Sequence, residues 1–309
     1  MARDKPRANR LNATISFAVR VTRNYFDHNM TIYAAALSFH ALLAIFPFLI
    51  FLLALLSFLR IPDFFDWVLD QAALALPEPA FAVVKEVVES VQGQGQGDLL
   101  SIGAIVAFGG AAVGVRSLMK AMNIVYAIPE TRAFWKKYLL SFMYTFGLAL
   151  LIIVAGGSLL LGPETLEWLS GFLGMSHDVV ALWGWLRFPV AVVGLMLISA
   201  LVYFALPNVD QPFRLTLPGA IIAVLSWLGM TYGFSIYATN FGNYASTYGS
   251  LAGIVILLFY FFLSASVLLA GAEINAEVHR MARGPAAPKD LNGKWIGAYA
   301  ERIADRFLT

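Results

Sequence analysis

Residues 32–59 read IYAAALSFHALLAIFPFLIFLLALLSFL and contain no Asp, Glu, Lys or Arg. A helix rises about 1.5 Å per residue and the hydrocarbon of a bilayer is about 30 Å thick, so about 20 apolar residues are enough to cross it. This stretch exceeds that length, and it is also far longer than the apolar core of a signal peptide. It therefore predicts a transmembrane helix.

Other stretches with few or no charges predict five more crossings. The six predicted spans cover about residues 32–59, 99–122, 138–161, 180–207, 215–239 and 249–272. The chain of 309 residues is 60% hydrophobic and 13% charged, whereas soluble domains average about 25% charged residues. We predict an all-α integral membrane protein built as a six-transmembrane-helix bundle.

The basic residues indicate the orientation of these spans. They collect in the N-terminal segment 1–31, between the second and third spans, at Arg214 and in the tail 280–309, whereas the other side carries mostly acidic residues. Lys and Arg are enriched in cytoplasmic loops. Both termini are therefore predicted to be cytoplasmic.

The first outer connection contains a predicted amphipathic insertion, residues 62–92. Apolar side chains recur at helical spacing in residues 63–76 and again in residues 78–92, which predicts two amphipathic helices. Two roles stay open: the helices cap the bundle or lie in the outer interface, or they form a lid over a cavity that opens outward.

Composition and motifs leave little support for an enzyme or a metalloprotein. The chain has no cysteine, its four histidines are scattered, and it contains no HExxH, GxSxG or P-loop pattern. We expect no cofactor and no metal site. The net charge of +2 also gives no reason to expect a nucleic-acid partner, so membrane lipids are the expected partners.

Polar residues at the predicted inner ends of the second and sixth spans form the first candidate site. On each span they share one helical face at matching depth, so oppositely charged side chains are expected to pair between the helices. The cluster is read either as a structural clamp or as an inner gate or headgroup site. Its members are Arg116, Lys120, Asn123, Glu273, Asn275 and Glu277.

The segment NFGNYASTYGS, residues 240–250, is the second candidate. Polar non-helical backbone near a membrane is tolerated where protein buries it or where it lines a watery cavity. It is predicted to be part of an outer substrate site. The residues singled out are Asn240, Asn243, Tyr244, Thr247 and Tyr248.

Two residues of the first span are also candidates. His40 is expected either to relay protons or to hydrogen-bond to a neighbouring helix. Pro47 is expected to kink the helix, which either lines a cavity or fits the bundle.

Pairs of glycines spaced GxxxG occur in the second, fifth and sixth spans, for example Gly110 with Gly114 and Gly229 with Gly233. This spacing favours close helix packing. It makes a homodimer plausible.

Three segments resemble the YihY/BrkB family of bacterial inner-membrane proteins. They are residues 33–49 (YAAALSFHALLAIFPFL), residues 116–138 (RSLMKAMNIVYAIPETRAFWKKY) and residues 217–277, which begin LPGAIIAV and end AGAEINAE. The resemblance implies a six-helix bundle in the inner membrane. It implies little about activity, since the family has carried a ribonuclease label and some members are linked to envelope and lipopolysaccharide phenotypes or serum resistance.

From these features we predict a transporter or flippase-like protein for a lipid, amphiphile or small solute. Spans one, two, five and six are expected to line its path, and an ion gradient, a partner or a downhill substrate gradient is expected to supply the energy. The alternatives are a non-transporting membrane scaffold or envelope assembly factor and, third, a membrane-embedded enzyme.

Overall fold

The computed structural model describes residues 5–58, 69–70, 85, 96–160, 177–239 and 250–285. Within these ranges it contains seven α-helices, one 3₁₀ turn at Phe213–Leu215 and no β-strand, so the predicted all-α class is confirmed. The helices are α1 (Lys5–Asp27), α2 (Met30–Phe58), α3 (Gln96–Val125), α4 (Phe134–Leu160), α5 (His177–Ala205), α6 (Leu217–Thr239) and α7 (Ser250–Arg283).

Helices α2 to α7 occupy the six segments in which crossings were predicted. Four stretches of the described chain are long and apolar enough to cross a membrane, and Met30–Ile45 of α2 is a shorter apolar stretch. The count of six crossings stays a prediction. The four stretches are Ile105–Val125, Leu182–Ala205, Phe213–Tyr237 and Gly253–Arg283.

One helix departs from the sequence-based expectations. The basic N-terminal segment, for which no helix was predicted, forms the long helix α1. Helix α7 continues past the predicted end of its membrane span at residue 272 to Arg283, and residues 272–279 are mostly buried. Nearly all of the amphipathic insertion 62–92 lies outside the described residues, as does the tail from residue 286.

Helices α2 to α7 form a closed ring in chain order. Each packs on the next, and α7 returns to α2, while α7 also touches α3 and α5. Helix α1 packs outside this ring, against α7 and α2. The ring brings the first, second, fifth and sixth predicted spans around a common interior.

The tightest core lies at one end of the ring, where α2 and α6 begin and where α3, α5 and α7 end. Met30, Met119, Met122, Tyr203 and Leu269 are fully buried there. We call this end the inner end, because it corresponds to the predicted cytoplasmic side.

Large apolar side chains elsewhere point outward, among them Ile105, Trp185 and Tyr232. Such a surface is suited to a lipid bilayer, because apolar side chains are more stable against lipid chains than against water.

Candidate functional site: an apolar cavity above a buried polar layer

A cavity of about 480 Å³ lies inside the ring. Four of the five helices that line it are the four expected to line a path, and α5 is the fifth. Its lining is almost entirely apolar. Representative lining residues are Leu37, His40, Ala111, Gly114, Leu118, Leu195, Ser199, Val224, Trp227, Phe261, Ser264 and Leu268.

Small side chains explain why the space exists between α2 and α3. A Cβ atom on Gly114 would lie 3.5 Å from the Cβ of His40, and one on Gly110 would lie 4.0 Å from the Cβ of Ala44. The two backbones therefore approach closely along this face. Ala44 and Ala111 line the cavity beside this contact and are too short to fill it.

A second apolar cavity, of about 250 Å³, adjoins the first. The two share Ala41, Ala44, Ala111 and Phe261 in their linings. The second cavity reaches Phe48, next to Pro47. Pro47 lies inside α2, which is helical on both sides of it, and the expected kink stays a prediction.

The cavity lies near mid-depth of the bundle. Its α3 lining extends from Ala111 to Leu118, and α3 ends at Val125, so the cavity lies about 10 to 20 Å from the inner end of α3 at about 1.5 Å per residue. The middle of a bilayer lies at a similar depth.

Few polar groups face this space. Trp227 donates its indole N–H to Oγ of Ser264 at 3.1 Å, so these two polar groups are hydrogen-bonded to each other. His40 is half-buried, lines the cavity and makes a tilted contact with Phe39. The two roles predicted for His40 both stay open.

Below the cavity, a buried polar network joins the α3–α4 and α5–α6 connections. Asn123 donates to Glu130 at 3.0 Å and accepts from the backbone N–H of Asn208 at 2.8 Å. Arg132 donates to Glu130 at 2.8 Å and to the carbonyl of Leu206 at 3.1 Å. We call Asn123, Glu130, Arg132 and Asn208 the loop clasp.

Asn275 fixes the start of α6 to α7. Its Oδ1 accepts from the backbone N–H of Gly219 at 2.7 Å, and its Nδ2 donates to the carbonyl of Thr216 at 2.9 Å. The first N–H groups of a helix have no intrahelical acceptor, so this amide replaces one. Asn275 is fully buried in that role.

The two glutamates of α7 contact residues that the sequence analysis did not propose. Glu277 accepts from Nε of Arg20 at 2.5 Å and also lies 3.4 Å from Nη1 of Arg280. Oε1 of Glu273 lies 2.7 Å from Nδ1 of His28. These contacts attach α1, and the turn that follows it, to α7.

The expected pairing of Arg116 and Lys120 with these glutamates is wrong for the contacts that the structure describes. Arg116 donates to Ser141 at 3.1 Å and lies over the ring of Tyr138 at 4.4 Å, so it faces α4. Lys120 is exposed. The physical reason is depth: Arg116 and Asn123 share a face of α3 but lie two turns, about 10 Å, apart, so Asn123 reaches the inner layer whereas Arg116 meets α4. Helix α1 supplies the cation for Glu277.

The turn between α1 and α2 places His28. Asn29 has φ 56°, a left-handed conformation that asparagine adopts more readily than most residues. The turn joins α1 to α2 within two residues, and His28 faces α7. Sequence reasoning could not find the contact between His28 and Glu273, because a lone histidine in a basic segment does not indicate which residue it contacts.

The outer candidates Asn240, Asn243, Tyr244, Thr247 and Tyr248 lie outside the described residues. Among the residues that are described, no group of three or more His, Cys, Asp or Glu side chains is placed to hold a metal ion.

Known proteins resemble this chain over most of its length. The family described as Virulence factor BrkB matches residues 21–294. The chain belongs to the BrkB family. No solved structure matches it.

Relatives of this BrkB-family protein carry only general names. It is 32% identical over 271 residues to the putative ribonuclease-like protein YfkH of Bacillus subtilis, covering 88% of this chain and 98% of that one. It is 26% identical to a UPF0761 membrane protein of Tolumonas auensis, covering 87% of this chain and 88% of the relative. Together with the apolar helices, these relatives indicate a multi-pass membrane protein.

Proposed function

We propose that this protein is a bacterial inner-membrane transporter or flippase-like protein that moves a lipid or another amphiphile with an apolar chain. The observation that carries the proposal is the apolar cavity of about 480 Å³ at mid-depth of the ring. Its volume lies in the range of about 300–1,000 Å³ that is usual for small-molecule sites. An apolar lining with few hydrogen-bonding groups favours an acyl or similar chain over a sugar or an ion.

The closed inner end fits an outward-facing or occluded state of such a protein. The clasp, the Asn275 contacts and the α1 ion pairs close the ring below the cavity. Polar contacts that break and re-form are a common means of switching between two access states. In this proposal, the inner layer is the gate.

A transport assay with a cavity variant and a matched control tests the proposal. The purified protein is reconstituted in vesicles with a fluorescent phospholipid, and the movement of the probe between leaflets is measured by quenching from outside. Ala111→Phe fills the space between the two cavities, whereas Val113→Phe places the same aromatic side chain at an exposed position two residues along α3.

We expect Ala111→Phe to slow lipid movement about tenfold, equivalent to about 1.4 kcal/mol, and Val113→Phe to leave it nearly unchanged. Equal rates for the wild type and protein-free vesicles would count against lipid transport.

A non-transporting scaffold is the second candidate, and the densely bonded inner layer favours it. A scaffold predicts that Ala111→Phe fills an unused cavity without loss of cellular function. If the cavity variant complements a deletion strain as well as the Val113→Phe control does, the scaffold is preferred.

A further inference from the structure

The unpartnered polar atoms of the described chain concentrate at the inner end. Six buried side-chain atoms lack a hydrogen-bond partner. Five of them belong to four residues of the inner end: the hydroxyl of Tyr126, Oε1 of Gln211, Oε2 of Glu273 and both ring nitrogens of His279. Buried polar groups nearly always have a partner, so this group of residues calls for a specific explanation.

Poor packing of the whole layer does not explain it. In the adjacent loop clasp, Asn123 uses both atoms of its amide, Glu130 uses both carboxylate oxygens, and Arg132 donates from its backbone, Nε and Nη2. The same layer therefore contains one saturated network and one with unpartnered polar atoms. The difference points to a ligand in the second network.

Tyr126 links the members of this second network. Its ring lies edge-on to the ring of His279 at 6.0 Å, and its hydroxyl lies beside the Gln211 side chain and within electrostatic range of Glu273. Burial raises the pKa of the Tyr126 hydroxyl above its ordinary value, so this group stays a neutral hydroxyl that can both donate and accept.

Gln211 connects the network to the floor of the cavity. Its Nε2 donates to the backbone carbonyl of Tyr203 at 2.8 Å, which identifies Oε1 as the free acceptor. The hydroxyl of Tyr203 donates to the carbonyl of Leu268 at 2.8 Å, and Leu268 lines the cavity.

Glu273 is the charged member, and its side chain is fully buried. Nδ1 of His28 lies 2.7 Å from its Oε1, and the His28 side chain keeps 13% exposure at the inner face. The neighbouring charges are already engaged, since Glu277 is paired with Arg20 of α1 and with Arg280 of α7. Among the described contacts, His28 is therefore the only basic partner of Glu273, and a buried carboxylate without a charged partner is costly.

We propose that Glu273 is a proton-binding site, set beside His28 at the inner face and completed by Tyr126 and Gln211. A proton from the aqueous phase binds Oε2 and removes the buried charge. The new O–H donates to the Tyr126 hydroxyl, which donates in turn to Oε1 of Gln211, while Oε1 of Glu273 keeps its hydrogen bond from His28. The proton thereby gives Oε2 of Glu273 a hydrogen-bond partner and connects it to the neighbouring Tyr126 and Gln211 side chains.

The site is placed to couple proton binding to the cavity. Gln211 and Tyr203 lead from Glu273 to Leu268, so a change in the protonation of Glu273 alters contacts directly below the proposed substrate site. This coupling rests on the proposed transport function, whereas proton binding itself does not.

Infrared difference spectroscopy of the purified protein in lipid tests proton binding without any substrate. The signal is the carbonyl stretch of a protonated carboxyl group, followed across pH. The wild type is compared with Glu273→Gln, with Glu277→Gln as the matched control on the same face of α7, and with Tyr126→Phe. Each spectrum is repeated with sodium chloride replaced by choline chloride.

We expect one buried carboxyl signal to be missing from Glu273→Gln and retained in Glu277→Gln. In Tyr126→Phe the signal should remain but move to higher wavenumber, because the protonated carboxyl group loses its hydrogen-bond acceptor. A wild-type spectrum without such a signal, or the same signal in Glu273→Gln, would overturn the proposal in favour of buried water. Loss of the signal with sodium but not with choline would assign the site to a metal cation instead.

Discussion

At Gly219, helices α6 and α7 approach so closely that one added carbon atom would disturb their packing. A Cβ atom there would overlap the backbone carbonyl of Gly271 and lie 2.5 Å from Cγ of Asn275. Backbone atoms cannot rotate away, so α6 would have to move off α7. We expect Gly219→Ala to lower the free energy of unfolding by about 1–3 kcal/mol, measured by thermal unfolding in detergent.

Gly229 is the control for this substitution on the same helix. Nothing lies within 4 Å of a Cβ atom built on it, so alanine there should be neutral or stabilise by up to about 1 kcal/mol through helix propensity. Equal stability of the Gly219→Ala and Gly229→Ala proteins would contradict the close contact between α6 and α7.

The pair of Arg20 and Glu277 is the second test at the scale of residues. Arg20 is half-exposed, but Glu277 is only 6% exposed, so removal of the arginine leaves a mostly buried carboxylate with Arg280 alone. A double-mutant cycle with Arg20→Ala and Glu277→Gln should give a coupling energy between about 0.5 and 3 kcal/mol.

The pair of Arg23 and Asp27 on the same helix provides the comparison. Both side chains are largely exposed, at 79% and 59%, and such pairs couple by about 0.5 kcal/mol or less. A coupling energy for Arg20 and Glu277 no larger than this would mean that the ion pair does not hold α1 on α7.

At the scale of elements, sequence reasoning located the helices better than their partners. Long apolar runs revealed α2 to α7, because a bilayer imposes length and hydrophobicity on any segment within it. The same argument says nothing about a polar helix, so no helix was predicted for the basic N-terminal segment. Without α1, Glu277 had no evident cation, and the nearest basic residues in the predicted layer, Arg116 and Lys120, were assigned to it.

The glycine pairs show the same limit. Gly110 and Gly114 face α2, as their spacing suggests, whereas Gly229 and Gly233 have nothing within 4 Å of a built Cβ atom. A GxxxG pattern indicates close approach but does not name the partner. The cavity was equally beyond prediction, since it depends on which small side chains of five helices meet inside the ring. The predicted homodimer is untested.

At the scale of the whole molecule, the contacts at the inner end constrain the topology. Arg132 reaches the carbonyl of Leu206, Asn208 reaches Thr131, and Arg280 lies 3.4 Å from the carbonyl of Val125. The α3–α4 connection, the α5–α6 connection and the end of α7 therefore lie at the same end of the bundle. Successive helices of the ring must then alternate in direction, as six crossings with both termini on one side require.

Cysteine labelling can test this topology directly, because the chain has no native cysteine to remove. Single cysteines at Ala133, Asp210 and Arg283 belong to the inner end, whereas Glu78, Glu164 and Asn243 belong to the predicted outer connections. In intact cells, a membrane-impermeant maleimide should label the outer set and leave the inner set unlabelled until the membrane is opened.

Each position tests a different crossing, so the labelling pattern shows which predicted crossings are present and not only how many there are. Outside labelling at Asp210 alone would break the alternation between α5 and α6 and contradict the shared inner end. Outside labelling of the entire inner set would keep six crossings and reverse the molecule. Glu273 would then take its proton from the opposite side of the membrane, and the direction of any proton-coupled transport would reverse with it.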